Sequence, residues 1–219
     1  MNKQKALYTG SIVVAVTLIA AVLVALVLFS IGASPLATYK TILTGPLSDL
    51  FGVTEVLVRS VPLLLVGLGI AISFRSGIIN IGAEGQIQMG VIAATATALA
   101  FPGLAKPVLL PLVLLAGACA GALWGGIAGW LRAKLQVNEI LSTVMLNYIA
   151  GQIYTFMLRG PMLDPAEREM GSGTPQSMRL PKAVFLDHIV PDTRLHTGLI
   201  LALVAAALVW ILLSLIHIS

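Results

Sequence analysis

Charged residues are scarce in this sequence. Only 10% of its residues are charged and 58% are hydrophobic, whereas roughly a quarter of the residues in a soluble domain carry charge. A chain with so few polar groups cannot cover a folded surface that faces water. The composition therefore excludes a water-soluble globule and predicts a protein that spans a lipid bilayer several times.

Cysteine is nearly absent, and the familiar catalytic motifs are missing. The single Cys119 excludes a disulfide bond or a cysteine-based metal site within one chain. The sequence has no G-x-x-x-x-G-K-S/T loop, no H-E-x-x-H spacing for zinc and no G-x-S-x-G nucleophile turn. Its formal charge of +4 is not gathered into a lysine or arginine tract, so no nucleic-acid partner is indicated. We predict no catalytic residues, no metal-binding residues and no enzymatic activity.

Long uncharged runs define the predicted spans. A helix of about 20 apolar residues crosses the bilayer, and six uncharged runs approach or exceed that length. They lie between Lys5 and Lys40, Arg59 and Arg75, Glu84 and Lys106, Lys106 and Arg132, Glu139 and Arg159, and after Arg194. The second run is short, so this span is predicted either to extend back into residues 51–58 or to be a short span, while the third span could begin as early as Ile78. The predicted fold is all-α, a polytopic transmembrane helical bundle of about six spans.

Lysines near the start and prolines near the end set the predicted topology. Lys3 and Lys5 precede an apolar run too long for a cleaved signal peptide, which predicts an uncleaved anchor and a cytoplasmic N-terminus. By alternation, residues 33–52 form an external connection broken by proline and glycine, and residues 159–197 form an external loop. Five prolines in that loop disfavour a long helix there. We treat residues 1–219 as a single transmembrane domain.

The most polar stretch of the chain lies between two apolar runs. It reads FRSGIINIGAEGQIQMG from Phe74 to Gly90 and holds one carboxylate, three amides and four glycines. Glycine interruptions at membrane depth are tolerated where backbone lines a cavity or is buried in protein, so we predict a broken or half-length helix. On an uninterrupted helix Asn80, Glu84 and Gln88 would share one face. Glu84 then either faces a polar pathway, because a lipid-facing carboxylate is costly, or lies at headgroup level, where it caps a helix or pairs with an arginine, Arg75.

A second polar group lies in the fifth run, VNEILSTVMLNYIAGQ (137–152). Asn138 and Glu139 open this span, and negative charge is favourable at a helix N-terminus. Inside the run are side chains too polar for a lipid-facing helix: Ser142, Thr143, Asn147, Tyr148 and Gln152. They either form interhelical hydrogen bonds or line the pathway of a polar solute.

The fourth run carries glycine at every fourth position. These residues are Gly117, Gly121, Gly125 and Gly129. The spacing places them on one face of a helix, where the missing side chains let another helix approach closely. We predict helix packing along this face, with a substrate groove as the alternative.

Three stretches resemble one family of transport proteins. They are FRSGIINIGAEGQIQMG, GALWGGIAGWLRAKLQVNEILSTVMLNYIAGQ and TRLHTGLILALVAAALVWILL. They are similar to the permease subunit of bacterial ABC importers, in the branch that serves nucleosides and simple sugars and is related to branched-chain amino-acid permeases. The resemblance extends from about Leu7 to Leu213.

The resemblance implies a set of partners and a solute. The subunit would lie in the bacterial cytoplasmic membrane, pair with a second permease subunit, bind a cytoplasmic ABC ATPase and receive solute from an extracytoplasmic binding protein. ATP and magnesium would be bound by the ATPase, and this chain would hold no cofactor. The solute would be a nucleoside first and a simple sugar next.

The resemblance also implies functional residues. A substrate pathway is expected to pass Asn80, Glu84, Gln86 and Asn147. Minor contacts with the ATPase are expected at Arg132, Lys134 and Glu139. From the residues alone, a self-contained membrane channel or an intramembrane enzyme centred on Glu84 stays open beside the transport subunit.

Permeases of the resembled type run longer than this chain, which we therefore interpret as a partial permease domain. The last residues, SLIHIS (214–219), follow the sixth apolar run with no basic residue to anchor its inner end. We treat them as a candidate non-native tail.

Overall fold

The computed structural model describes residues 3–171 and 173–216, and these residues form α-helices joined by turns and loops. The helices are α1 (Lys3–Ser30), α2 (Pro35–Thr44), α3 (Leu50–Arg75), α4 (Ala83–Ala100), α5 (Lys106–Leu135), α6 (Glu139–Arg159), α7 (Pro165–Met170) and α8 (Gly198–Ile216). Within the same ranges, β-type pairing is limited to two isolated bridges. The predicted all-α class is confirmed.

Each predicted span corresponds to one long helix. The second, α3, begins at Leu50, so its predicted extension into residues 51–58 is confirmed. Among the described residues, four helices are long and apolar enough to cross a membrane by length and composition: α1, α3, α5 and α8. The other two long helices, α4 and α6, carry the polar side chains. The chain is a polytopic helical membrane protein.

The chain divides into two compact units. The first consists of Met1–Arg59 and Val190–Leu195, and the second of Ser60–Ile189 and His196–Ser219. α3 begins in the first unit and continues into the second.

The first unit is held together by polar contacts among apolar helices. The Tyr39 hydroxyl donates to the carbonyl of Ala21, which joins α2 to α1. Glu55 of α3 lies 2.9 Å from Arg59 and 3.6 Å from Arg194, and both arginine side chains are mostly exposed. Exposed pairs of this kind stabilise a fold by only about 0–1 kcal/mol.

In the second unit, α4 packs against both α5 and α6. The buried side chains at these contacts are small, as at Ala98, Ala128 and Ala150. Gly90 of α4 passes Gly117 of α5 so closely that a Cβ on Gly90 would lie 3.0 Å from the Gly117 carbonyl oxygen. Burial of apolar surface gives little driving force inside lipid, so close backbone packing between small residues takes its place.

The connection at residues 33–52 is more regular than expected. It contains α2 and a 3-10 turn at Gly45–Leu47 instead of a broken segment. Pro35 is the first residue of α2, a position where its missing N–H is no loss because no intrahelical acceptor awaits it.

The described residues between α6 and α8 hold short pieces of helix, α7 and a 3-10 turn at Lys182–Val184. This agrees with the proline density of the segment. An ion pair between Lys106 and Asp187 ties the segment to the start of α5. On which side of the membrane it lies stays a prediction.

α8 continues through Ile216. Ser214 to Ile216 of the candidate tail therefore belong to this helix, and residues 217–219 of the tail lie outside the described residues.

Candidate functional site

A non-helical break separates α3 from α4. α3 ends at Arg75, Gly77 has a φ of +72°, and α4 begins at Ala83. Glycine adopts positive φ at little cost, so Gly77 lets the chain turn out of α3. The third span does not begin at Ile78, as the sequence allowed, because the backbone stays non-helical as far as Gly82.

Asn147 of α6 holds the start of α4 through two hydrogen bonds. Its Oδ1 accepts a hydrogen bond from the backbone N–H of Gly85 at 2.8 Å, and its Nδ2 donates to the carbonyl of Ile81 at 2.9 Å. The first N–H groups of a helix have no intrahelical acceptor. Asn147 therefore caps α4 from a neighbouring helix, because it supplies the acceptor that the Gly85 N–H would otherwise lack. Both polar ends of the Asn147 side chain are used in this contact.

Glycine is required where α6 approaches the start of α4. A Cβ on Gly85 would lie 2.9 Å from Asn147 Oδ1 and 3.2 Å from the Ala150 Cβ, and one on Gly82 would lie 3.1 Å from the Thr143 Cβ. Distances this short force a neighbour to move. The two glycines therefore allow the interhelical hydrogen bonds of Asn147 to form.

A polar groove of about 440 Å³ lies between α4 and α6. Its lining residues are Glu84, Gln88, Val144, Asn147, Tyr148, Gly151, Gln152 and Thr155. Glu84 is exposed, and its Oε1 accepts a hydrogen bond from Gln88 Nε2 at 3.5 Å. The other amide atom, Gln88 Oε1, is buried without a hydrogen-bond partner. We call this space the α4–α6 groove.

A larger cavity of about 690 Å³ lies on another side of α4, against α5 and the part of α3 after Leu65. Most of its wall is aliphatic side chain or glycine, and its polar side chains are Ser73, Asn80 and Gln86. Asn80 Oδ1 accepts from the Gly82 N–H at 2.8 Å and lies 3.5 Å from Gln86 Nε2. We call this space the α4–α5 cavity.

The four predicted pathway residues are divided between these two spaces. Asn80 and Gln86 line the α4–α5 cavity, whereas Glu84 and Asn147 line the α4–α6 groove. The shared helical face predicted for Asn80, Glu84 and Gln88 is wrong, because Asn80 precedes the helix.

α6 begins where the sequence indicated. The Asn138 side chain accepts from the N–H groups of Ile140 and Leu141, at 2.9 and 3.2 Å. Ser142 and Thr143 are buried and donate to carbonyl groups of their own helix. They do not line the α4–α6 groove, in contrast to Tyr148 and Gln152 farther along the helix.

The glycine stripe of α5 faces α4 over part of its length. A Cβ on Gly117, Gly121 or Gly125 would lie within about 3.2 Å of an α4 atom. A Cβ on Gly129 would meet nothing within 4 Å. Gly117, Gly121 and Gly125 also line the α4–α5 cavity, so packing and cavity lining coexist on this face.

The three predicted ATPase-side residues lie in the helix ends that flank the turn between α5 and α6. Arg132 and Glu139 form an ion pair with 3.0 Å between Nη1 and Oε2. Lys134 is exposed. Gln136 adopts a left-handed conformation with φ of 53° where α5 ends, which brings the two helix ends together.

Trp124 and Gly151 are site residues that the sequence analysis missed. The Trp124 indole N–H is buried without a partner, 3.0 Å from where a Cβ on Gly85 would lie. Gly151 lies against the Gln88 amide, with 3.7 Å from its Cβ position to Oε1. Glycine inside a helical pattern was the available signal of a close approach. Across the described ranges, no three His, Cys, Asp or Glu side chains are grouped to hold a metal ion.

The long apolar helices define a polytopic membrane protein. Polar side chains line the two spaces beside the start of α4. The family described as branched-chain amino acid transport system / permease component matches residues 52–215, and the chain belongs to that family. The resemblance found in the sequence is confirmed. The description of this family is that of a permease component of a transport system.

Named relatives cover most of the chain. A glucose ABC transporter permease protein, TsgB13 of Haloferax volcanii, is 38% identical over 200 residues, covering 85% of this chain and 50% of the relative. The guanosine ABC transporter permease protein NupP of Bacillus subtilis is 36% identical over 190 residues, covering 87% and 53%. The nucleoside ABC transporter permease protein NupB of Lactococcus lactis is 30% identical over 195 residues, covering 87% and 53%.

The chain spans about half the length of these relatives. No solved structure shows significant similarity to it.

Proposed function

We propose that this chain is the transmembrane permease subunit of an ATP-binding cassette importer. It moves a small polar solute, a nucleoside first and a simple sugar next, across the cytoplasmic membrane by ATP-driven alternating access. Family membership supports the transport role. The relatives named for guanosine, nucleosides and glucose support the solute classes.

The observation that carries the proposal is the α4–α6 groove beside the helix break. Ionisable residues within membrane segments are rare and generally face the bundle interior or a water-filled cavity. Glu84 is exposed in a groove lined by further amides and a tyrosine, which is unfavourable against lipid and favourable beside water or a polar solute. Helix interruptions beside a solute path are a common device of transporters.

The proposed pathway includes Asn80, Glu84, Gln86 and Asn147 in different roles. Glu84 has accessible carboxylate oxygens, and Asn80 and Gln86 present amides to the α4–α5 cavity. Asn147 acts on the pathway by holding the start of α4.

The proposed partners are a second permease subunit, a cytoplasmic ATPase that binds ATP and magnesium, and an extracytoplasmic binding protein. The N-terminus is proposed to be cytoplasmic, which places the α5–α6 turn on the ATPase side. Exposed Lys134 and the Arg132–Glu139 pair are then available as minor contacts. A self-contained channel or intramembrane enzyme centred on Glu84 is not favoured, because the chain belongs to a permease family.

Uptake in the source organism tests the proposal. The coding sequence is deleted and then restored at its own locus, and accumulation of radiolabelled guanosine, uridine, glucose and ribose is followed in each strain. We expect deletion to abolish energy-dependent uptake of at least one nucleoside or sugar and restoration to return it. Unchanged uptake of all four solutes in the deletion strain would contradict the proposal.

A further inference from the structure

We propose that the α4–α6 groove is a solute subsite in which the Glu84 carboxylate accepts two hydrogen bonds from adjacent hydroxyl groups of the solute. This inference rests on the proposed function and adds to it the chemistry that the permease itself recognises.

The first step is the orientation of Glu84. It lies in the first turn of α4, where the helix dipole favours negative charge. Gln88, one turn later, donates from Nε2 to Glu84 Oε1 at 3.5 Å. A carboxylate is an acceptor only, so this contact fixes which end of the Gln88 amide faces Glu84. The long, weak hydrogen bond leaves most of the acceptor capacity of Glu84 free.

The second step concerns hydrogen-bond acceptors near Glu84 that lack a donor. Gln88 Oε1 is buried with no donor, and a buried acceptor left unpaired costs about 1–3 kcal/mol. The neighbouring Thr155 hydroxyl donates to the Gly151 carbonyl at 2.8 Å and is not available as a donor. Gln88 Oε1 and the Glu84 carboxylate are thus acceptors in the α4–α6 groove that lack a short hydrogen bond, and a solute with adjacent donors would complement the carboxylate.

The third step separates the recognising residue from the positioning residue. Both ends of the Asn147 amide are hydrogen-bonded to backbone, at Gly85 in the first turn of α4 and at Ile81 in the segment just before it. Gly85 follows Glu84 directly in the chain. Asn147 therefore fixes the backbone from which the Glu84 side chain projects, and Glu84 is left to contact solute.

The fourth step identifies the donor. Nucleosides and simple sugars differ in most of their groups but share neighbouring hydroxyls. A carboxylate has two oxygens that can accept from two adjacent donors, and hydrogen bonds to a charged acceptor are about twice as strong as neutral ones. One carboxylate could therefore serve both solute classes. An amino group and ring N–H of a base would present the same paired donors, so the test must separate the ribose from the base.

The test compares solute pairs within strains that share one binding protein. Wild type, Glu84→Gln, Glu84→Asp and the control Glu169→Gln, which alters an exposed carboxylate of α7, are each restored at the native locus. Uptake of guanosine, 2′-deoxyguanosine and inosine is measured, with glucose and 2-deoxyglucose for sugars. Because every strain uses the same binding protein, a change in an uptake ratio reports on the permease.

We expect Glu84→Gln to lower the guanosine to 2′-deoxyguanosine ratio, or the glucose to 2-deoxyglucose ratio, by roughly tenfold. The guanosine to inosine ratio should stay constant. Glu84→Asp should retain part of the discrimination, and Glu169→Gln should behave as wild type. Unchanged ratios would overturn the inference, as would a change confined to the guanosine to inosine ratio, which would assign the donors to the base. If the wild-type strain took up neither the nucleosides nor the sugars, that result would instead refute the proposed function.

A labelling measurement leaves Glu84 intact. Thr155→Cys is introduced with Cys119→Ala, and reaction with a water-soluble maleimide is followed in membrane vesicles. We expect guanosine or glucose to slow labelling of Cys at position 155, and their deoxy analogues to slow it several-fold less. Labelling that no solute slows, or labelling only by a lipid-soluble maleimide, would overturn the inference.

Discussion

The two sides of α4 meet their neighbouring helices in different ways. Toward α5, glycine lies against backbone, as where a Cβ on Gly121 would lie 3.1 Å from the Gln86 carbonyl oxygen. Toward α6, contact is made by side chains that donate and accept, above all Asn147 with the backbone at Gly85. Close approach depends on glycine on both sides of α4, and the α6 side adds the interhelical hydrogen bonds of Asn147.

This difference explains how one short helix can be both packed and polar. Shape complementarity on the α5 side requires no polar partner. Hydrogen bonding on the α6 side satisfies the helix start and leaves Glu84 free in the α4–α6 groove. The comparison predicts that substitutions on the two sides fail for different reasons.

The largest effect is expected on the α6 side, from Asn147→Leu. The substitution leaves the Gly85 N–H and the Ile81 carbonyl without partners, and two unpaired backbone groups should destabilise the protein by about 3 kcal/mol. Thermal unfolding in detergent measures the change. Gln152→Leu, an exposed amide of the same groove, is the matched control and should change stability little. Equal losses of stability in both variants would show that the hydrogen bonds of Asn147 do not stabilise the start of α4.

An intermediate effect is expected on the α5 side, from Gly121→Ala. The new methyl group would press on the Gln86 carbonyl oxygen, and overpacking of this kind costs about 1–3 kcal/mol. Gly129→Ala has open space around its Cβ position and should be neutral or stabilising by up to about 1 kcal/mol, since alanine favours helix over glycine. The same unfolding assay distinguishes them, and a stable Gly121→Ala protein would argue against a tight contact.

The smallest effect is expected from Asn138→Ala at the start of α6. It removes the side-chain acceptor for the Ile140 and Leu141 N–H groups, a loss of about 1 kcal/mol for a typical N-cap. Asn138→Asp keeps an acceptor and should retain most of the stability. If both substitutions had the same cost in the unfolding assay, capping by Asn138 would not stabilise α6.

The helices themselves were largely predictable. Uncharged runs located each long helix, because a bilayer requires length and low polarity, and both are local properties of sequence. The start of α6 followed from Asn138 and Glu139, since capping involves residues close in the chain. The run beginning at Glu84 also predicted the start of α4 at Ala83. The earlier start at Ile78 stayed open in the sequence because the acceptor of the Gly85 N–H, Asn147, lies on another helix.

The candidate site was predicted in composition but not in arrangement. Asn80 and Glu84 were singled out as polar residues in an apolar chain, yet their predicted shared face depended on a helix that does not extend to Asn80. Gly129 continued the glycine spacing of α5, yet meets nothing within 4 Å of its Cβ position. Periodicity assigns residues to a face and does not say where the partner helix ends.

The sequence by itself determined that this chain is a helical membrane protein with a polar, glycine-broken segment, because hydropathy and glycine content act residue by residue. Only the tertiary structure decided that both ends of the Asn147 amide are hydrogen-bonded at and just before the start of α4 while Glu84 stays accessible. Those roles depend on Asn147 meeting Gly85 and Ile81, which lie 62 and 66 residues earlier in the chain. No local pattern encodes such a meeting, because it is fixed by how closely Gly82 and Gly85 let two helices approach.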